Sequence, residues 1–155
     1  MLKRLMLAVA LALPVSAAFA QAGAQAGGQG VKEQWGPVPP VLPAGAQIAV
    51  LQGNPFGQGV YTLRLKMPNG YTVPPHFHPT DEMLTVISGN LMYGHGDKID
   101  RSAMSTLHAG GFTAASANMH HYVTARGATI VQVHGQGPFA ITYVNPADNP
   151  QAKPK

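Results

Sequence analysis

The stretch Gly70-Tyr-Thr-Val-Pro-Pro-His76-Phe-His78-Pro-Thr-Asp-Glu82 sets two imidazoles and a carboxylate close together in the chain. In an extended strand, residues two apart point to the same face. His76 and His78 would then project side by side, about 6.6 Å apart on a rise of about 3.3 Å per residue. That separation lets both rings converge on one ion, each at roughly 2.0–2.1 Å for a metal such as zinc. Pro79 bends the strand, and Glu82 is placed to return from the next turn and add a carboxylate. A further ligand is available from His120-His121; adjacent strand residues face opposite sides, so only one of the two points inward. An isolated His-x-His is equally well a pair of exposed loop residues. The glutamate four positions on and the second histidine group favour the metal site.

On either side of this stretch the pattern is that of strands. Tyr61, Leu63, Leu65 and Met67 alternate with Thr62, Arg64 and Lys66, the period of two of a half-buried strand. Pro68-Asn69-Gly70 reads as a turn. Met83–Ser88 and Leu91–Gly94 read as two strands split by Gly89-Asn90, a hairpin. Phe112–Ala115, Tyr122–Thr124, Thr129–His134 and Phe139–Val144 continue the series, punctuated by Arg126-Gly127 and Gly135-Gln136-Gly137-Pro138. No segment outside the N-terminal twenty residues offers an amphipathic helix of three turns. Many short strands in about 100 residues mean an all-β sandwich or barrel.

Composition agrees. The 155 residues include 18 Gly and 14 Pro, and only 10% are charged against 45% hydrophobic, which is not the make-up of a disordered chain. The absence of cysteine excludes disulfides, thiolate metal sites and a cysteine nucleophile. Met1–Ala20 reads as a secretory signal: Lys3 and Arg4 precede the apolar Leu5–Leu13, Pro14 breaks the run, and Ala18-Phe19-Ala20 fits a cleavage site. The apolar run is shorter than the roughly 20 residues that span a bilayer. Cleavage would remove Lys3 and Arg4 from the ten basic residues, leaving eight against six acids and no basic stripe of the kind that binds nucleic acid. The organisation expected is therefore a signal peptide over 1–20, a flexible Gln/Ala/Gly- and Pro-rich leader over 21–46, a domain over 47–146 and a loose tail over 147–155. The mature protein would be periplasmic or secreted, with no membrane association once the signal is gone.

The spacing of these residues resembles the cupins. Gly70, five residues, His76-x-His78, three residues, Glu82, six residues and Gly89 follow the first cupin motif throughout. Gly110, five residues, Ser116-Ala117-Asn118, two residues and His121 keep the spacing of the second, with Ser116 for its Pro, Asn118 for its Gly and Ala125 at its closing Asn. Asn tolerates left-handed backbone better than most residues, so Asn118 is compatible with the turn. The chain also resembles small exported cupins that finish with a Gln132–Gly135, Gly137–Phe139 and Asn145-Pro146 pattern. The resemblance implies an all-β, double-stranded β-helix (jelly-roll) barrel of the RmlC-like type holding one divalent metal. Carried over by position, the ligands are His76, His78, Glu82 and His121, with His120 taking the last place if the motif is one residue off. Such a set suits Fe, Mn, Ni, Cu or Zn.

The function expected is a metal-dependent enzyme, dioxygenase-like or an isomerase, acting on a small oxygenated or anionic molecule. The alternative is a non-catalytic metal- or small-ligand-binding module. No Gly-x-Ser-x-Gly turn or Gly-x-Gly-x-x-Gly loop points elsewhere. Outside the ligand set, His95 reads as a hairpin-turn residue, His134 as a second-sphere candidate if it faces inward, and His108 and Asp97 as solvated connections. Tyr93, Gln132 and Tyr143 are candidates for the barrel lining, and Met119 for the pocket mouth. A homodimer is expected, with Phe139, Ile141 and Tyr143 available for its contact.

Overall fold

A computed structural model of the chain describes residues 30–152. The expected signal peptide with its cleavage point, residues 21–29 of the expected leader, and residues 153–155 of the tail lie outside the described residues. The described residues from Val31 onward belong to one compact unit. Its nine strands are β1 Gly36–Pro37, β2 Gln47–Gln52, β3 Gly59–Met67, β4 Thr72–Phe77, β5 Glu82–His95, β6 Ser105–His108, β7 Phe112–Ala115, β8 His121–Gly137 and β9 Thr142–Tyr143. All pairings are antiparallel, in the order β1-β2-β3-β8-β4-β9, while β5 pairs with β6, β7 and β8. Among the described residues there is no α-helix, only two short 3-10 turns at Pro146–Asp148 and Pro150–Ala152 with no buried residue. The architecture is a jelly-roll β-barrel.

The period of two in β3 does what it predicts: Tyr61, Leu63 and Met67 are buried and Leu65 is half-buried on the same inward side, while Arg64 and Lys66 stay outside. Leu84 and Val86 of β5, Leu91 further along it, and Val131 and Val133 of β8 complete a continuous apolar core. Each such side chain contributes about 1.5–3 kcal/mol when removed from water.

Two expected strand breaks are not breaks, and a third comes later than expected, since Gly135–Gly137 still belongs to β8 and pairs with Gly59–Tyr61. Gly89-Asn90 does not turn a hairpin: β5 runs unbroken from Glu82 to His95. Gly89 takes φ 78°, and the register against β8 jumps between Ser88 and Asn90. This is a bulge that bends one long strand, so that its first part lies along β7 and its second along β6 while β8 accompanies both. A side chain at Gly89 would collide with the Ala128 carbonyl and with Thr129 Oγ1. Arg126-Gly127 likewise lies within β8 rather than between two strands, with Gly127 at φ 79°. Glycine serves a bulge and a turn equally well, so local sequence does not separate them. At the C-terminal end only Thr142–Tyr143 of the expected Phe139–Val144 strand is paired.

The packed body also starts ahead of Gln47, inside the expected leader. Gly36 pairs with Ile48, and Leu42 and Ala46 are buried in the core. Tyr71 Oη donates to the Pro43 carbonyl (2.6 Å) and Tyr143 Oη to the Val41 carbonyl (2.8 Å). On the outer surface, Arg64 pairs with Glu33, and Lys66 Nζ sits 4.3 Å from the centre of the Trp35 ring. The prolines remove N–H donors, which limits the segment's sheet ladder to Gly36–Pro37 and makes it read as a linker. Its carbonyls and apolar side chains are nonetheless what the barrel uses to close one end.

Candidate metal centre

The four residues singled out by spacing come from three places in the fold. His76 lies in β4 and His78 just beyond it, Glu82 opens β5 and His121 opens β8. The antiparallel register sets His76 directly opposite His121. Phe77, between the two histidines, points the other way and stacks on His120, ring centres 4.9 Å apart. Asn118, at φ 63°, makes the turn that delivers β8, and its N–H donates to the His78 carbonyl (2.8 Å). The left-handed conformation that glycine would supply is thus met by asparagine.

All four side chains are buried: His76 is 4% exposed, His78 5%, Glu82 8% and His121 1%. The ring centres of His76 stand 5.0 Å from His78 and 4.2 Å from His121, and those of His78 and His121 are 5.3 Å apart. One ring nitrogen from each histidine lies within 4.8 Å of the other two. Glu82 Oε2 is 3.5 Å from both His78 Nε2 and His121 Nε2.

Each imidazole is oriented from behind by a backbone carbonyl. His76 Nδ1 donates to Pro74 O (2.7 Å), His78 Nδ1 to Ala140 O (2.7 Å) and His121 Nδ1 to Met119 O (3.0 Å). A carbonyl only accepts, so the proton of each neutral ring sits on Nδ1 and the Nε2 lone pair is left free. The buried Nε2 atoms of His78 and His121 have no hydrogen-bond partner. Buried polar atoms without partners are costly, and a ring held by its other nitrogen is the usual arrangement of a metal-ligating histidine. The donor set therefore fits a metal ion: His76, His78 and His121 could hold one.

Electrostatics point the same way. Burial, with help from the neighbouring His121 and His78, pulls the His76 pKa down to about 3, so that ring is neutral. Burial opposes ionisation of Glu82, but contacts with His121 and His78, whose Nε2 atoms carry a proton when the rings are charged, outweigh it and hold the carboxyl below the usual range. For His78 burial is again opposed, here by Glu82 and by the Ala140 carbonyl, and its pKa rises. An anionic carboxylate among imidazoles in an apolar shell is an environment that attracts a cation.

These side chains open on a cavity of about 50 Å³ whose remaining lining is apolar, including Leu42 from the N-terminal segment and Phe139 and Ile141. Phe139 and Ile141 are thus turned into the cavity wall, half-buried, and Tyr143 is buried. His120 stays outside, half-exposed and hydrogen-bonded through Nδ1 to Asp97 (2.6 Å). His134 faces the outer surface, where its Nδ1 meets Thr62 Oγ1 and its Nε2 meets Gln132 Nε2, both at 3.0 Å. Gln132 itself is held by Arg64 Nε (3.0 Å) and does not line the cavity. His95 and His108 are exposed. Tyr93 does not line the cavity either; it lies beneath His121, ring planes 20° apart and centres 5.7 Å apart. The carbonyls of Pro74, Met119 and Ala140 and the contribution of Leu42 were not legible in the sequence. Backbone acceptors carry no residue signature, and Leu42 sits in a segment that reads as linker.

The family model described as Cupin domain matches residues 63–134. No curated protein matches the chain. Among solved structures, the chain is similar to a protein from Methylibium petroleiphilum PM1 described as a candidate acetylacetone dioxygenase. The identity is 22%, over 75% of this chain and 78% of that one, with a TM-score of 0.59. The polyketide cyclase RemF from Streptomyces resistomycificus is 14% identical over 68% and 75% of the two chains, TM-score 0.57. An RmlC-like cupin from Shewanella frigidimarina NCIMB 400 is 12% identical over 68% and 84%, TM-score 0.54. The matched stretch carries all four residues of the centre, so over residues 63–134 the chain is similar to the Cupin domain family, and its jelly-roll fold is shared with the RmlC-like cupin.

Proposed function

We propose that the chain is an exported, metal-dependent enzyme acting on a small oxygenated or anionic molecule, with an oxidative, dioxygenase-like step ahead of isomerisation or hydrolysis. The observation that carries this reading is the convergence of buried, backbone-oriented imidazoles on Glu82 at the wall of an otherwise apolar cavity. His76, His78, His121 and Glu82 would hold one divalent ion (Fe, Mn, Ni, Cu or Zn). Bound there, it would supply Lewis-acid polarisation of an oxygen or a position for dioxygen. The carbonyls behind the rings fix their tautomers, and the aliphatic wall excludes bulk water. The activity named for the Methylibium protein is what puts the oxidative step first.

One observation favours the second reading, a non-catalytic binding module: Glu82 is the only acid among the lining residues, and no other acid or base shares the cavity with the four. Elemental analysis of protein recovered from the exported fraction, compared with His78→Ala, tests the ion; equal metal content in both overturns the assignment. Turnover that disappears on chelation and returns with one particular metal decides for the enzyme. Export predicts a mature N-terminus at Gln21, and recovery of the chain with Met1 intact from the cytoplasm refutes it.

A further inference from the structure

The cavity has one polar pole and nothing else for a polar ligand to meet. Of the side chains that line it, His76, His78, Glu82 and His121 are polar, and all the others are aliphatic, Pro, Phe or Met. Leu63, Leu84, Leu91, Val131 and Val133 form the deep wall, each at most 5% exposed. Among the described residues, no Arg, Lys, Ser, Thr, Asn, Gln or Tyr side chain reaches it. Of the nearby polar groups, Gln132 and His134 bond to each other on the outer face, Tyr143 Oη is bound to the Val41 carbonyl, and Tyr93 Oη, buried without a partner, is not part of the lining. At the mouth, Phe56 is 61% exposed yet contributes to the lining, from a loop bounded by Gly53 and Gly59, both at positive φ.

Charge counting narrows the ligand. A divalent ion beside one carboxylate leaves a single positive charge, which one anionic group neutralises. A second carboxylate would bring an uncompensated charge among methyl groups, and each hydroxyl beyond the pole would lose its water without a replacement partner. An aliphatic remainder gains from the same wall. The enclosed part of the cavity, about 50 Å³, is roughly a third of one that admits benzene, so a four-carbon ligand extends from the pole towards the mouth beside Phe56.

We propose that the site takes a small monoanion or enolisable carbonyl compound, its oxygen end at the histidine–glutamate pole and its remainder a short aliphatic group, and that it discriminates against dianions and polyols. This inference rests on the proposed metal site and specifies what that site accepts.

The test uses full-length protein loaded with Mn(II), its stoichiometry fixed by elemental analysis, with ligand binding followed by calorimetry and by water-proton relaxation. Butyrate, 3-hydroxypropionate and succinate are the probes. The first two differ by a terminal methyl against a hydroxyl, and the third adds a second carboxylate. Butyrate is expected to bind at least ten-fold more tightly than either of the others. Ile141→Thr, which places a hydroxyl in the wall near the mouth, is expected to bring 3-hydroxypropionate to within about three-fold of butyrate. Mn(II) retained with 3-hydroxypropionate or succinate binding as tightly as butyrate overturns the ligand class and leaves the metal site standing. Failure to retain Mn(II) overturns both. An unchanged preference in a folded Ile141→Thr variant overturns the role given to the wall.

Discussion

Replacing His121 or its neighbour His120 by alanine separates two residues that differ by one position and by almost everything else. His121 is 1% exposed, its Nδ1 bonds Met119 O at 3.0 Å, and its Nε2 faces Glu82 at 3.5 Å. Truncation to alanine leaves a void on the order of 60 Å³, costing about 1.5 kcal/mol. The stranded Met119 carbonyl adds about 1 kcal/mol. The metal-free His121→Ala variant should therefore melt roughly 10 °C lower for a domain of this size. Metal binding should suffer more. If four donors share a free energy on the order of 10–16 kcal/mol, one is worth about 3 kcal/mol, or roughly a hundred-fold in Kd. His120→Ala loses an exposed contact with Asp97 and the stacking on Phe77. That is worth under about 1 kcal/mol and involves no donor atom of the cluster. The assay is paired: competition for the metal against a chromogenic chelator, and thermal melts in excess chelator. Metal affinity lost in His120→Ala and retained in His121→Ala would refute the geometry of the centre.

Gly94→Ala should destabilise the fold by about 1–3 kcal/mol, because the added methyl meets the ring of Tyr122, which is fully buried and held by the Asp100 N–H at 2.9 Å; denaturant melts read this out, and an unchanged midpoint would contradict it. Leu42→Ala should cost about 2–3 kcal/mol by the same measurement, whereas a true linker residue would cost nothing. Burial, reinforced by the charge of Asp148, raises the Tyr143 pKa to about 12. The folded state thus favours the neutral phenol, so stability is complete below pH 10 and falls as the pH rises from about 10 towards about 12. Urea melts at pH 8, 10 and 11 should show that fall, and Tyr143→Phe should lessen it without abolishing it, because burial also raises Tyr61, Tyr71 and Tyr93; an equal slope in the variant would remove Tyr143 as a cause.

Much of the fold and of the centre was open to local reading. The alternation through Tyr61–Met67 follows from the two-residue period of a strand, and that same period pairs His76 with His78 while turning Phe77 away. These are short-range consequences of backbone geometry, and a stretch of a dozen residues contains them. The glycines at 89 and 127 mark departures from regular strand, but a bulge and a turn make the same demand on φ. Which one forms depends on β8 lying alongside, a pairing between residues some forty positions apart.

What the sequence by itself determined, then, is the chemistry on offer: an all-β chain without cysteine, with three imidazoles and one carboxylate at spacings that allow a shared centre. The tertiary structure decided which of His120 and His121 turns inward, because that depends on the register of β8 against β4. It also decided that the Pro-rich stretch ahead of Gln47 closes the barrel, because its partners are the hydroxyls of Tyr71 and Tyr143, far along the chain. Side-chain periodicity is local, whereas enclosure is a property of surfaces that meet only when the whole sheet has folded.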